Sequence, residues 1–170
     1  MGRNPTEGMK EDDTQDRELE GAKDEGGFPF GRFDHALDPK KRLTIPALWR
    51  ELLGNPAHLY VLLDPYESCL TILPEQEMRI RMKRLNAGSL FDKNRSAAMR
   101  YIGENSELLN VDAHGRIRIS DRLMRLVGLK EKVVFIGTGV KMELWPLELK
   151  PLDEKVDRAA LQASFMAIDF

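Results

Sequence analysis

The feature that most constrains this chain is an internal duplication. Residues 37 to 54 read LDPKKRLTIPALWRELLG, and residues 111 to 128 read VDAHGRIRISDRLMRLVG. In both stretches an Arg follows an Asp by four positions and a Gly follows it by sixteen, and the stretches lie 74 positions apart. Each copy extends over about 45 residues, which is too few to bury an adequate hydrophobic core alone. A copy must therefore complete its core against its sister copy or against another chain.

The first copy predicts the order strand, turn, strand, short helix, strand, turn, strand. FPFGRFDHAL and RLTI are the first strands, ALWRELLG is the helix, and LYVLL and CLTIL form a hairpin around the turn DPYES. We expect Leu48, Leu52 and Leu53 on one side of the helix. Pro46 suits the first turn of that helix, and Gly54 is expected to end it.

The second copy predicts the same order of elements. ELLNV, RIRI, DRLMRLVG, VVFI and MELW are the corresponding strands and helix. Ser120 is expected to cap the N-terminus of the helix. Leu73-Pro74 matches Trp145-Pro146, with the first copy two residues longer after its glycine. The sequence therefore predicts an α+β fold that is rich in β-structure.

Three further segments flank or separate the copies. Residues 1 to 27 contain almost no large apolar side chains, so we expect a disordered acidic extension. A pair of helices joins the copies, and we interpret its basic residues as a solvated face in preference to a DNA-contacting one. The predicted division of the chain is 1–27 extension, 28–78 first domain, 79–105 helical linker, 106–150 second domain and 151–170 tail.

The distribution of charge matters more than its total. The chain has 28 acidic and 26 basic side chains, and nine of the acidic but only four of the basic ones lie in residues 1 to 27. The remaining residues are therefore mildly basic, which is compatible with a nucleic-acid partner. The single cysteine, Cys69, cannot form an internal disulfide. Together with the lack of a secretory signal and of a long apolar run, this predicts a cytoplasmic protein without a membrane span.

The sequence offers little support for an enzyme. Its three histidines do not recur at equivalent places in the two copies, and one cysteine cannot supply a typical zinc site. No G-x-G-x-x-G or Walker A phosphate loop is present. GTGVK, at residues 137 to 141, lies between two predicted strands and is interpreted as a hairpin turn. We expect no catalytic residues, no metal and no cofactor.

The repeated Asp-x-x-x-Arg motif is the best candidate for a functional site. Asp38 and Asp112 can accept hydrogen bonds from turn amides and can face Arg42 and Arg116 on the returning strands. One interpretation is that the pairs only stabilise the turns. The other is that they hold the arginines in place for nucleic-acid binding, while neighbouring cations grip phosphates. Those cations are Arg32, Lys40, Lys41 and Arg50 near the first motif, and Arg118, Arg122 and Arg125 near the second.

The quoted motifs together resemble the MraZ family. FGRFDHALDPKKRLTIPALWRELLG and NVDAHGRIRISDRLMRLVGL, followed by VVFIGTGVKMELWP, are similar to the two halves of MraZ, each of which resembles an AbrB/SpoVT domain. The resemblance covers residues 28 to about 152 and includes the helical linker. It implies that the two halves pair as swapped β-hairpin units around a small barrel-like core, with short helices outside.

The resemblance also implies an activity and an assembly. Members of the family are DNA-binding transcriptional regulators, usually repressors, of the division and cell-wall gene cluster. They bind short direct repeats in their own promoter as closed rings, which implies double-stranded DNA and further copies of the chain as partners, and a nucleoid-associated location. The DNA-binding residues carried over to this sequence are Arg32, Lys40, Lys41, Arg42, Arg116 and Arg118, with Asp38 and Asp112 as the carboxylates that hold the motif arginines.

The sequence departs from the family pattern in a few places. Lys41 stands where many members have Gly, although Gly adopts positive φ more readily than Lys. His114 stands where a small or basic residue is expected, and Ser120 replaces the proline that matches Pro46. The alternative functions are an oligomeric scaffold or interaction protein without specific DNA readout, and an AbrB-like antitoxin, which the duplication disfavours.

Overall fold

The computed structural model describes residues 27–88, 92–149 and 157–168. The predicted acidic extension therefore lies outside the described residues, except for Gly27. The elements in chain order are β1 (Phe30–Ala36), β2 (Arg42–Thr44), α1 (Ala47–Leu52), β3 (His58–Leu63), β4 (Leu70–Pro74), α2 (Glu75–Asn86), α3 (Lys93–Glu104), β5 (Ser106–Asn110), β6 (Arg116–Arg118), α4 (Asp121–Leu126), β7 (Lys132–Thr138), β8 (Met142–Pro146), a 3-10 turn (Leu147–Leu149) and α5 (Arg158–Ala167).

The eight strands in the described part of the chain form two antiparallel sheets. The larger sheet has the order β1-β7-β8-β4-β3-β5, and the smaller one pairs β2 with β6. This is the β-rich α+β class that the sequence predicts. The larger sheet is open, with β1 and β5 as its two edges.

The two copies exchange their first strands. β1 of the first copy pairs with β7 of the second, and β5 of the second copy pairs with β3 of the first. Each first strand thus extends the sister copy's hairpin, as the resemblance to swapped-hairpin proteins implies. The hairpins meet where Thr71 of β4 is the partner of Glu143 of β8, and these residues occupy equivalent positions in the two copies. The chain therefore has an approximate twofold symmetry about that pair.

The capping residues of α1 and α4 lie where the sequence predicts them, except for Pro46. The Ser120 hydroxyl accepts a hydrogen bond from the Leu123 N–H at the start of α4. Gly54 follows α1 with φ of +74°, a conformation that glycine adopts without steric cost. Pro46 is the N-cap residue of α1 and lies just before the helix, because its ψ of 130° is extended.

The buried face of α1 is centred on Trp49, so the prediction that Leu48 lies on the apolar side is wrong. Leu48 is 60% exposed, whereas Trp49 is fully buried. Helical spacing explains this result, since Leu52 and Leu53 lie three and four residues after Trp49 and pack partly buried on the same core. The Trp49 ring makes edge contacts with Phe33 and Phe135 of two neighbouring strands.

The linker helices lie outside this core with mostly exposed basic side chains. On α2, Arg79 pairs with Glu75 at 2.6 Å and Arg81 with Glu77 at 3.6 Å. Met78 of the same helix is buried, and α2 packs on β3 and β4. The basic side chains of α2 thus face away from the sheet, and their interpretation as a solvated face stays a prediction.

No helix in the described ranges combines the length and the apolar character needed to cross a membrane.

Replacing Trp49 with Ala should destabilise the fold by about 3–5 kcal/mol, because a large cavity would open between α1 and the sheet. Urea denaturation, monitored by circular dichroism, measures this change in the free energy of unfolding. Leu48→Ala, one residue away in the same helix, serves as the control and should change the free energy of unfolding by less than about 0.5 kcal/mol. Equal effects of the two substitutions would contradict the observed packing of α1.

Candidate nucleic-acid interface

The two Asp-x-x-x-Arg motifs form nearly identical turns. The Asp38 carboxylate accepts hydrogen bonds from the N–H groups of Lys40 and Arg42 at 2.8 Å each, and from the Arg42 Nε at 2.7 Å. The Asp112 carboxylate accepts from the N–H groups of His114 and Arg116 at 2.9 Å each, and from the Arg116 Nε at 2.7 Å. The Asp–Arg pairing is the one that the spacing of the motif predicts. Each carboxylate therefore holds both the backbone of its turn and the guanidinium of its arginine.

These hydrogen bonds keep both carboxyl groups ionised. The Arg116 N–H is the main cause that lowers the pKa of Asp112 to about 2; partial desolvation opposes it, and the Arg116 guanidinium and the His114 N–H assist. The pKa of Asp38 is lowered in the same way, with the Arg42 N–H as the main cause. The negative charge that holds each arginine is consequently present throughout the neutral pH range.

The strands that follow the turns join the two motifs into one surface. In the antiparallel β2–β6 ribbon, Arg42 lies opposite Arg118 and Thr44 lies opposite Arg116. Directly opposed residues of an antiparallel pair share a face, as do residues two apart on one strand. All four therefore lie on one face, while Leu43 and Ile117 on the other face are buried in the core. We call the outer face, formed by Arg42, Thr44, Arg116 and Arg118, the arginine face.

The lysines of the first turn differ in their partners. Lys41 has φ of +57°, close to the +73° of its counterpart Gly115. The Lys41 ammonium forms a 2.8 Å ion pair with Asp121 at the start of α4, which lowers the pKa of Asp121. Lys40 is exposed, and its ammonium has no ion-pair partner among the described residues.

Arg32 lies apart from the arginine face. It is in the middle of β1, opposite Ile136, and its Nε pairs with Asp34 at 3.1 Å. In the described part of the chain no hydrogen bond or ion pair joins it to the turns or to the ribbon. Of the predicted DNA-binding residues, the structure thus brings together Lys40, Lys41, Arg42, Arg116 and Arg118.

Each turn packs against the helix of the other copy. The first turn borders a groove of about 750 Å³ with Asp121, Met124 and Arg125 of α4. The second turn borders a smaller cleft of about 270 Å³ with Arg50 of α1. The sequence predicted Arg50 near the first motif, because Arg50 is close to that motif in the chain. The register of the repeat makes Arg50 equivalent to Met124. Since Met124 lies beside the first turn, the symmetry of the repeat puts Arg50 beside the second.

Within the described ranges, no group of three or more His, Cys, Asp or Glu side chains is arranged to hold a metal ion.

The low pKa of Asp112 has a consequence for stability at acid pH. Because the carboxyl is more acidic when folded, its contribution is complete above about pH 4 and is lost as the pH falls toward 2. Asp112→Asn should therefore destabilise the protein at pH 5 to 7. The difference in the free energy of unfolding between wild type and variant should shrink below pH 4. Urea denaturation over a pH series measures this, and the constant difference between pH 5 and pH 7 is its internal control. A difference that remains unchanged down to pH 2 would contradict the assignment.

Comparisons with known proteins agree on one family. A family model described as "MraZ protein, putative antitoxin-like" matches residues 104–149. Relatives from several bacteria carry the name Transcriptional regulator MraZ. The one from Heliobacterium modesticaldum is 30% identical over 83% of this chain and 97% of its own length. The one from Nitrosospira multiformis is 36% identical over 72% and 81%, and the one from Clostridium tetani is 30% identical over 70% and 82%. The chain therefore belongs to the MraZ family.

Proposed function

We propose that this chain is a sequence-specific DNA-binding transcriptional regulator that reads DNA with the arginine face. The observation that carries the proposal is the convergence of Arg42, Arg116 and Arg118 on one side of the β2–β6 ribbon. The family supports it, because the similar proteins named above are transcriptional regulators. The proposal makes the two domains, 28–78 and 106–150, equal partners in one DNA-binding surface.

The shape of the ribbon suits the major groove of DNA. That groove admits a two-stranded β-ribbon, and guanidinium groups placed in it can bind guanine O6 and N7 in a bidentate manner. Arg42 and Arg116 use their Nε atoms to bind the carboxylates. Such an arrangement orients the remaining guanidinium nitrogens before DNA arrives and reduces the conformational entropy that binding would cost.

The lysines of the first turn suit the phosphate backbone. Lys40 is exposed in the turn, and an ammonium on a flexible stem binds phosphate as a point charge. Lys41 forms an ion pair with the exposed carboxylate of Asp121. In our proposal the Lys41 ammonium leaves this carboxylate and binds a phosphate when DNA is present. Arg32 remains a candidate for a peripheral phosphate contact, and its partner Asp34 is exposed.

We further propose that the target is the protein's own promoter, at the head of the division and cell-wall gene cluster, and that the chain represses it as a ring on short direct repeats. The support for these details is the resemblance of both halves to MraZ. Simultaneous binding of several repeats would raise avidity by about 10²–10⁴ over a single contact. That gain offsets the modest excess of basic side chains in residues 28 to 170 of each subunit. This function places the protein in the cytoplasm, associated with the nucleoid.

The alternative is an oligomeric scaffold in which these charges support assembly alone. The Asp38–Arg42 and Asp112–Arg116 pairs favour neither function by themselves, because they also stabilise the turns. The exposed position of Arg118 leaves its guanidinium available to DNA, because within the described residues its side chain makes one hydrogen bond, of 3.4 Å to the Lys40 carbonyl, and an electrostatic interaction with Asp121.

Arg118→Gln should weaken specific binding by about tenfold or more, since one good bidentate base contact contributes about 1–3 kcal/mol. Gel shifts with the duplex upstream of the chain's own gene, against a scrambled duplex of equal length, measure this. Arg81→Gln on α2 removes the same charge and should leave affinity within about twofold. A wild-type protein that binds both duplexes equally would exclude specific readout and favour the scaffold.

Asp121→Asn should tighten binding by about two- to fivefold, because it releases Lys41 from an exposed and therefore weak ion pair. Fluorescence anisotropy with the same duplex measures the change. In a Lys41→Gln background the gain should be smaller, since the released cation is then absent. An equal gain in both backgrounds would show that Asp121 acts through general repulsion of DNA and not by holding Lys41.

A further inference from the structure

Arg50 covers the second turn from the opposite copy. A Cβ atom at Gly115 would collide with the Nε, Cζ and Nη1 atoms of Arg50. Gly115 itself is buried, and its φ is +73°. The guanidinium therefore occupies the space into which a side chain of the second turn would otherwise project.

The guanidinium of Arg50 lacks an internal partner. Its Nε is buried without a hydrogen bond, and its side chain forms no ion pair or hydrogen bond in the described part of the chain. Asp112 lines the same cleft, but it is engaged by two backbone N–H groups and Arg116. Holding a half-buried cation without a partner costs free energy. A residue that only packed against the turn would not need this charge.

The repeat shows what the charge replaces. In the first turn the position equivalent to Gly115 is Lys41, and in α4 the position equivalent to Arg50 is Met124. One copy therefore has its cation on the turn and an apolar residue on the opposing helix, whereas the other has glycine on the turn and a cation on the helix. Lys41 and Arg50 therefore both place a cation beside a turn, Lys41 from the turn itself and Arg50 from the opposing helix, and the first turn carries Lys40 in addition.

We propose that Arg50 is a DNA phosphate-binding residue of the second turn, supplied by the first copy. The inference rests on the proposed DNA-binding function and adds a residue to it. A guanidinium binds phosphate oxygens through a planar pair of donors. Lys41 lies beside the first turn and Arg50 beside the second, and these turns lead directly into Arg42 and Arg116 of the arginine face. Contacts to the phosphate backbone would then set the position of that face, and contacts to bases would read the sequence.

The test is Arg50→Met, which places in α1 the residue that α4 carries at the equivalent position. Affinity for the upstream duplex at low salt should fall about five- to tenfold, because a charge-assisted phosphate contact is lost. The slope of log affinity against log salt should become shallower by about 0.9 for each such contact. Arg50→Lys should keep the slope, since it keeps a cation at the turn. Thermal unfolding and light scattering verify that fold and assembly are unchanged.

Arg79→Met on α2 is the matched control, with the same loss of charge outside the turns, and it should leave affinity and salt slope at the wild-type values. If Arg50→Met unfolds, Arg50→Gln, which keeps a polar head group, takes its place. A variant that folds and binds with unchanged affinity and slope would overturn the role of Arg50 and leave the proposed function intact. A wild-type protein that binds no duplex would instead overturn the proposed function.

Discussion

The pairing of β2 with β6 is the interaction on which the rest of this molecule depends. Leu43 and Ile117 lie opposite each other in this ribbon, at equivalent positions of the two copies, and both are buried. Their burial joins the halves at the centre of the hydrophobic core. Since successive side chains of a strand alternate between faces, burying these two residues directs Arg42, Arg116 and Arg118 outward. The hydrophobic effect that unites the halves thereby also places the cations.

The duplication within one chain permits an asymmetry that two identical chains could not have. In a symmetric dimer of single copies both turns would carry the same residue. Here one turn has Lys41, which reaches Asp121 on the opposing helix, and the other has Gly115 beneath Arg50. This difference between the copies keeps a cation beside each turn but changes whether a carboxylate is paired with it. Lys41 is balanced by a carboxylate, whereas Arg50 has no such partner in the described residues.

The carboxylates show how a chain with a net charge of −2 can still present a basic surface. Asp38 and Asp112 lie beneath the arginines and engage three donors each. Their negative charge is therefore largely compensated by donors within the turns. On the helical linker, by contrast, the arginines of α2 pair with exposed glutamates one turn away. Local pairing therefore decides where the positive charge is available, and the total charge does not.

The sequence alone determined the features that depend on neighbouring residues. The Asp-x-x-x-Arg pairing, the cap at Ser120 and the order of strands and helices all follow from groups a few positions apart, which interact in nearly any fold that forms the turn. The wrong position of Leu48 shows the limit, because a six-residue helix gives too little periodicity to identify its buried side. Only the tertiary structure decided which copy each turn packs against. Arg50 is eight residues from Arg42 and 65 from Gly115 in sequence, yet the antiparallel pairing of β2 with β6, which continues in the hydrogen bond from the Ile45 N–H to the Gly115 carbonyl, brings it over Gly115. Burial of apolar surface selects that pairing, and burial depends on all the strands together.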